Sequence, residues 1–238
     1  VSCAGTECRA DSGTVLFTSA GGLTVRLAAE ADMDALLRVF SAARAYMRRN
    51  GNPTQWGESR PTRGEIEENL NARCCYVVER GAAPDIPAGD PGTDSDEETA
   101  RKDASRRVIC GTFAVKFGPD PMYASIDGKW LSSGPYVAIH ALASDGTARG
   151  VADLAIRFAE EHPSRFLSGQ LNAASAGAAP YSEVCPDEPV RFLRVDTHRN
   201  NRLMQAKFAE HGFTYCGIVR MIIDGTERLA YEKQIPMR

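Results

Sequence analysis

The chain has no C-x-x-C pair, no histidines at ligand spacing and no glycine-rich nucleotide fingerprint, and each absence removes a class of function. Neither G-x-x-x-x-G-K-[S/T] nor G-x-G-x-x-G occurs, so a P-loop or dinucleotide fold is not expected. Seven cysteines (Cys3, Cys8, Cys74, Cys75, Cys110, Cys185 and Cys216) are an odd, scattered set for a disulfide framework, and the four histidines show no metal spacing. No metal is expected. Several of the cysteines fall in strand-like segments, where a free thiol is a small buried hydrophobe, and a reducing cytoplasm is the expected compartment. None sits at a strand-to-helix turn beside a histidine, which argues against a cysteine nucleophile. No apolar run approaches the roughly 20 residues needed to cross a bilayer. Nor does any N-terminal stretch have the basic-then-apolar order of a signal peptide, so no membrane partner is expected. A net charge of −3, with no Lys/Arg stripe interleaved with aromatics, leaves no footprint for nucleic acid.

What is present is ordinary for a globular chain: 238 residues, 43% hydrophobic and 25% charged. Residues 1–21 are rich in Ser, Gly and Ala without periodicity and read as a flexible arm. Alternation over 23–27 predicts a first strand. Asp32 then caps a helix with Leu36, Leu37, Phe40 and Met47 along one side, stopped by Asn50-Gly51. Thr62 and Glu65 form a capping box for a second helix with Ile66 and Leu70 inward. Strands follow at 74–79 and 108–117, around an insertion at 81–106 whose prolines, glycines and charges bury too little apolar surface to offset ordering. A loop-rich link leads to the central strand, and a second insertion spans 163–189. A strand at 190–195, a helix opened by Asn200 or Asn201 and closed by Gly212, and two strands around Asp224-Gly225 complete the order β-α-α-β-β-β-α-β-α-β-β. That is one α/β domain over 22–238, with no internal repeat.

The stretch from Tyr136 to Phe158 organises the rest. It reads as a buried strand through Ser144, a glycine-bearing turn, Asp145 to Gly150, and a helix with Val151, Leu154, Ala155 and Phe158 on one face. The first turn of a helix has unpartnered N–H groups at the positive end of its dipole, and Gly150 lets an anion approach without a Cβ in the way. The same residues would also serve as a plain structural turn.

With that element order the chain resembles the GNAT superfamily of N-acetyltransferases, which use acetyl-CoA. The likeness covers most of 23–233 outside the two insertions. The family's pyrophosphate loop, [Gln/Arg]-x-x-Gly-x-[Gly/Ala], stands here as Thr147-Ala148-Arg149-Gly150-Val151-Ala152, with Thr147 in place of the leading Gln/Arg. Its second motif, Asn-x-x-Ala followed by a helix and Gly-Phe, stands as Asn201-Arg202-Leu203-Met204 ending in Gly212-Phe213. The central strand, Ala138-Ile139-His140-Ala141-Leu142-Ala143, is similar to that of the arylalkylamine branch, with Ala138 replacing the first of its two histidines. The resemblance implies a mixed, mostly antiparallel sheet of about six or seven strands flanked by about four helices. It also implies that the Thr147–Ala152 turn binds the diphosphate of acetyl-CoA, that Ala141 and Ala143 pair with the pantetheine amides through their main chains, and that Asn201 bonds the same arm; a helix N-cap is the other reading of Asn201, which Asn200 could replace in that role.

Acetyl transfer to an amine needs a proton acceptor and a donor for the thioester oxygen. Imidazole titrates near neutrality, so His140 is the candidate base, a hydrogen-bonded core histidine being the other reading. A main-chain N–H near Leu142 is the simplest oxyanion donor. Phe208 stands where the family often has a tyrosine acid, and a thiolate leaves well enough without one. Trp56, Tyr123, Trp130 and Tyr136 are candidate walls of an acceptor pocket, with core packing as the alternative, and Glu58 or Asp120 could hold a cationic amine. The expected function is acetyl-CoA-dependent transfer to a primary amine of a small molecule or peptide; the alternative is a non-catalytic acyl-CoA-binding module of the same fold. The acceptor is open among a small amine, an amino acid, an antibiotic and a protein N-terminus, as is the choice between monomer and homodimer.

Overall fold

Nine strands form one sheet in the order β1-β2-β3-β4-β6-β7-β9-β8-β5. The structure is a computed structural model that describes residues 13–81, 107–161 and 189–236. The strands are β1 (Val15–Thr18), β2 (Thr24–Leu27), β3 (Cys75–Gly81), β4 (Arg107–Phe117), β5 (Asp127–Gly128), β6 (Tyr136–Ser144), β7 (Phe192–Thr197), β8 (Thr214–Arg220) and β9 (Glu227–Gln234). All neighbours run antiparallel except β6 and β7. Among the described residues there are four α-helices: α1 (Met33–Arg49), α2 (Arg63–Asn71), α3 (Val151–Glu161) and α4 (Arg202–Glu210).

The central strands are apolar on both faces because both are covered. Along β3, Tyr76 and Val78 enter a core with Leu154, Phe158 and Phe208 of α3 and α4. Cys75 and Val77 enter a second core with Leu36, Phe40 and Ile66 of α1 and α2. Successive side chains of a strand point to opposite faces, so one short apolar run serves both layers.

The sheet has two more strands than expected. β1 lies inside the expected arm 1–21: Leu16 and Phe17 pack against the first core, and the Phe17 ring meets Phe158 edge-on at 6.0 Å. Four residues with a bulge between Val15 and Phe17 are too few to show alternation. β5 is two residues paired to Gly217 and Ile218. Asp32 does not cap α1 with its side chain; it accepts the Ala29 N–H at 2.8 Å and pairs with Arg26 at 2.7 Å. The Thr62/Glu65 capping box forms as expected. Apart from Gly81 and Pro189, the expected insertions lie outside the described residues.

Candidate active site

The parallel pairing of β6 with β7 stops early. It runs from Tyr136/Phe192 to Ala138/Arg194, while β6 continues to Ser144 and β7 to Thr197. On its other side β6 carries a bulge: Ala114 faces His140 and Thr112 faces Ala143, so Ala141 and Leu142 stand opposite Phe113 alone. Ala141 accordingly takes φ of 50°, the left-handed region that a residue with a Cβ rarely enters. The bulge bends β6 away from β7 and leaves its main chain beyond Ala138 without a β7 partner. A cleft of about 1090 Å³ opens there, lined by His140 to Ser144 of β6, Val195 to Thr197 of β7, Asn201 and Phe208 of α4, and the start of α3.

The start of α3 is built from three pieces. Asp145 accepts the Thr147 N–H at 2.9 Å and its hydroxyl at 2.7 Å, folding the turn, and Arg38 pairs with the same carboxylate at 2.8 Å. Burial pushes the Asp145 carboxyl up, but Thr147 and Arg38 outweigh it and hold it below the usual range. Gly150 (φ 84°) reverses the chain into the helix. Gly111 on β4 seats it, since a Cβ there would lie 2.5 Å from Val151 Cγ1 and 3.1 Å from the Ala143 carbonyl oxygen. Ala148, Gly150, Val151 and Ala152 line the cleft; Thr147 and Arg149 are exposed and do not. Asp153 in the first turn of α3 meets Lys207 at 3.1 Å and His211 at 2.9 Å, tying α3 to α4.

His140 lies on the cleft with its ring 5.5 Å from that of Tyr123. Its Nε2 is 2.9 Å from Asp120 Oδ2, close enough for an ion pair although the approach is not aligned as a hydrogen bond. Asp120 is set by the Met122 N–H donating to Oδ1 at 2.9 Å and by its own N–H donating to the Tyr136 hydroxyl at 2.8 Å. Burial raises the Asp120 carboxyl, yet the His140 imidazole beside it and the Met122 N–H bring it below the usual range. Tyr123 donates to Asp196 Oδ2 at 2.8 Å, and burial pushes that carboxyl above its ordinary value against the pull of His140 and Tyr123. Asp120 thus meets the imidazole directly, and Asp196 is linked to Tyr123, whose ring lies against it.

Of the four aromatics suggested by the sequence, only Trp56 lines the cleft, packed edge-on against Phe40 at 5.6 Å. Tyr123 is buried and reaches the site through its hydroxyl. Trp130 and Tyr136 instead sandwich Arg194, whose guanidinium carbon lies 4.1 Å and 3.7 Å from the two ring centres. Glu58 and Asp120 both line the cleft, and it is Asp120 that meets His140. Phe208 is core, with ring contacts to Phe213 and Tyr231 at 5.5 and 5.2 Å.

Of the two readings of Asn201, the structure shows the helix cap, and Asn200 does not take its place. Asn201 is itself the cap, accepting the Met204 N–H at 3.3 Å, and its amide donates to Gln55 Oε1 at 2.9 Å. Gln55 belongs to the link between α1 and α2, and its carbonyl accepts from Arg228 Nη2 at 2.8 Å. Gln55, Asp196, Arg228 and Gly111 went unnoticed in the sequence. Only Asp196 carried a usable signal, as an acid at the carboxyl end of a strand beside the parting, where ligands of α/β sheets collect.

The cysteines within the described residues are free. Burial pushes the Cys74 thiol up to about 12 and those of Cys75 and Cys110 up to about 11, which makes them inert. Among the described residues no cluster of His, Cys, Asp or Glu suits a metal ion, and no helix is long and apolar enough to cross a membrane.

Solved structures share this architecture. A GNAT-family acetyltransferase from Streptococcus agalactiae superposes with a TM-score of 0.58 and 23% identity, over 91% of this chain and 97% of that one. The fold is the GNAT fold. A GNAT-family acetyltransferase from Bacillus cereus matches with a TM-score of 0.46 at 16% identity, over 91% of this chain and 100% of that one. The yncA protein of Salmonella typhimurium, solved with its cofactor acetyl-CoA, matches at 0.43 and 11%, over 91% and 95%. Neither of these two adds to the assignment. No protein-family model matches the chain, and no curated protein matches its sequence. The likeness to the arylalkylamine branch finds no support among these GNAT structures and rests on β6 alone.

Proposed function

We propose that this protein is an N-acetyltransferase that passes the acetyl group of acetyl-CoA directly to a primary amine. The observation that carries the reading is that the parting of β6 and β7 and the glycine turn of α3 open into one cleft. The residues fit the cosubstrate. The first N–H groups of α3, at Gly150, Val151 and Ala152, suit a diphosphate, and no Cβ at Gly150 obstructs it. Ala141 and Ala143 offer main-chain groups to the pantetheine amides, and the Leu142 N–H is the donor for the thioester oxygen. Asn201 borders the same arm.

Acetyl-CoA supplies an activated acyl group with a thiolate that leaves without a dedicated acid. The chain's own part is to hold the amine, take its proton and keep water out. His140 accepts the proton, and Asp120 fixes the imidazole and stabilises it once charged. Thiol release from acetyl-CoA over a broad amine panel tests the reading. His140→Ala should lower the maximal rate roughly a hundredfold or more and flatten the acid limb of the pH profile. Unchanged pH dependence removes His140 from the mechanism. Coenzyme A binding without turnover on any amine makes the protein a binding module instead.

A further inference from the structure

Arg228 is a buried cation without a partner of its own. It is 4% exposed and on the cleft wall, yet its guanidinium donates only to neutral oxygens: the Gln55 carbonyl at 2.8 Å, the Thr226 hydroxyl at 3.0 Å and the Glu227 carbonyl at 3.1 Å. No carboxylate of the described residues pairs with it. Asp224 is occupied by the Thr226 N–H and hydroxyl, and Glu227 pairs with Arg199 and Arg220. Burial draws the guanidinium pKa down, and Arg60 adds like charge. His198 carries no negative charge to offset it, and burial, Arg228 and Arg199 all lower its imidazole.

The contrast with Arg194 is instructive. There the fold closes a buried guanidinium with Glu232 at 2.7 Å and two aromatic faces. At Arg228 the half-buried Asp196, diagonal to it across the β7–β9 pair, stays outside ion-pair distance and accepts from Tyr123 instead. A desolvated cation held only by neutral oxygens is costly, and a group that bridged it to Asp196 on the same cleft wall would complete both.

We infer that the acceptor completes them: it is an α-amino acid, whose carboxylate is bound by Arg228 and whose amine is presented by Asp196 to His140. The inference rests on the acetyltransferase reading and narrows its acceptor from any amine to one that carries its own anion. Planar guanidinium is suited to a carboxylate. A simple amine would leave Arg228 as bare as it is in the free protein.

The test is calorimetric binding of the common α-amino acids, their primary amides and their decarboxylated amines, with coenzyme A present throughout. At least one acid should bind roughly tenfold or more tightly than its amide and amine, since an unpaired buried charge is left when one partner is removed. Arg228→Gln should erase that preference, so that acid and amide bind alike. If the variant does not fold, the comparison on the native protein stands alone. Equal binding of acid and amide, preference for the amide or amine, or no binding by any acid overturns the proposal. Acid-selective binding without acetyl transfer refutes the acetyltransferase reading and leaves the anion site in place.

Discussion

Arg194 offers the sharpest energetic test, because its pair with Glu232 is fully enclosed. The side chains are 5% and 0% exposed, with Nε 2.7 Å from Oε1. Glu232 Oε2 also accepts the N–H groups of Leu131 and Ser132 at 2.5 and 3.1 Å, and Arg194 Nη2 donates to the Ser132 carbonyl at 2.8 Å. Arg194→Met leaves a buried carboxylate with only two amide donors, at an expected cost of about 3–5 kcal/mol. Glu232→Gln keeps an acceptor for those amides but strands the guanidinium, for a loss of similar size. The double variant buries no net charge and should lose only about 1–2 kcal/mol, mostly the stacking on Trp130 and Tyr136. Urea unfolding of the four proteins at pH 7 gives the cycle, with constant m-values as the check that only stability has moved. A double variant whose loss equals the sum of the singles would refute the reasoning, as would single losses below about 1 kcal/mol. A functional readout follows. The Tyr136 hydroxyl accepts the Asp120 N–H, and Asp120 lies against His140, so Arg194→Met should slow acetyl transfer more than it weakens coenzyme A binding.

Gly111→Ala puts a methyl 2.5 Å from Val151 Cγ1 and forces α3 off the sheet. The expected outcome is a loss of about 1–3 kcal/mol by thermal melting together with weaker coenzyme A binding, and binding at native strength would show that α3 is not the anion seat. Asp120→Asn tests the carboxylate beside His140 through pH. A carboxyl whose folded pKa is depressed stabilises the fold above its unfolded value of about 3.9 and loses that contribution as pH falls through the folded value. Urea midpoints at pH 7, 5 and 3.5 should therefore show the native protein's advantage over the variant shrinking at the acid end. A gap independent of pH would mean that the loss is one of packing alone.

What could be read from the sequence was what is local. The capping box of α2 and the strands expected at 74–79 and 108–117 each rest on neighbours within a few positions. β1 and β5 escaped because strands of four and two residues carry no usable period. The roles of Trp130 and Tyr136 were settled by Arg194, and that of Asn201 by Gln55, 146 positions earlier. Asp196 and Arg228 share one cleft wall only because β7 and β9 pair side by side. Such partnerships are decided by topology, and no window of sequence contains both halves.

The bulge in β6 shows how the local and the distant combine. With strict alternation, Tyr136, Ala138, His140, Leu142 and Ser144 would share one face of the sheet, and Ala143 would point to the other. Placing Ala141 and Leu142 together opposite Phe113 adds one residue and resets that order. Leu142 now packs with the core under α3, while Ala141 and Ala143 join the core under α1. His140 stays on the side of Asp120 and Tyr123, and the strand past it turns away from β7. A single extra residue therefore both aims the imidazole and exposes the main chain beside it. Acetyl transfer as proposed needs a proton acceptor for the amine and an amide donor for the acyl oxygen side by side, and the same irregularity would supply both.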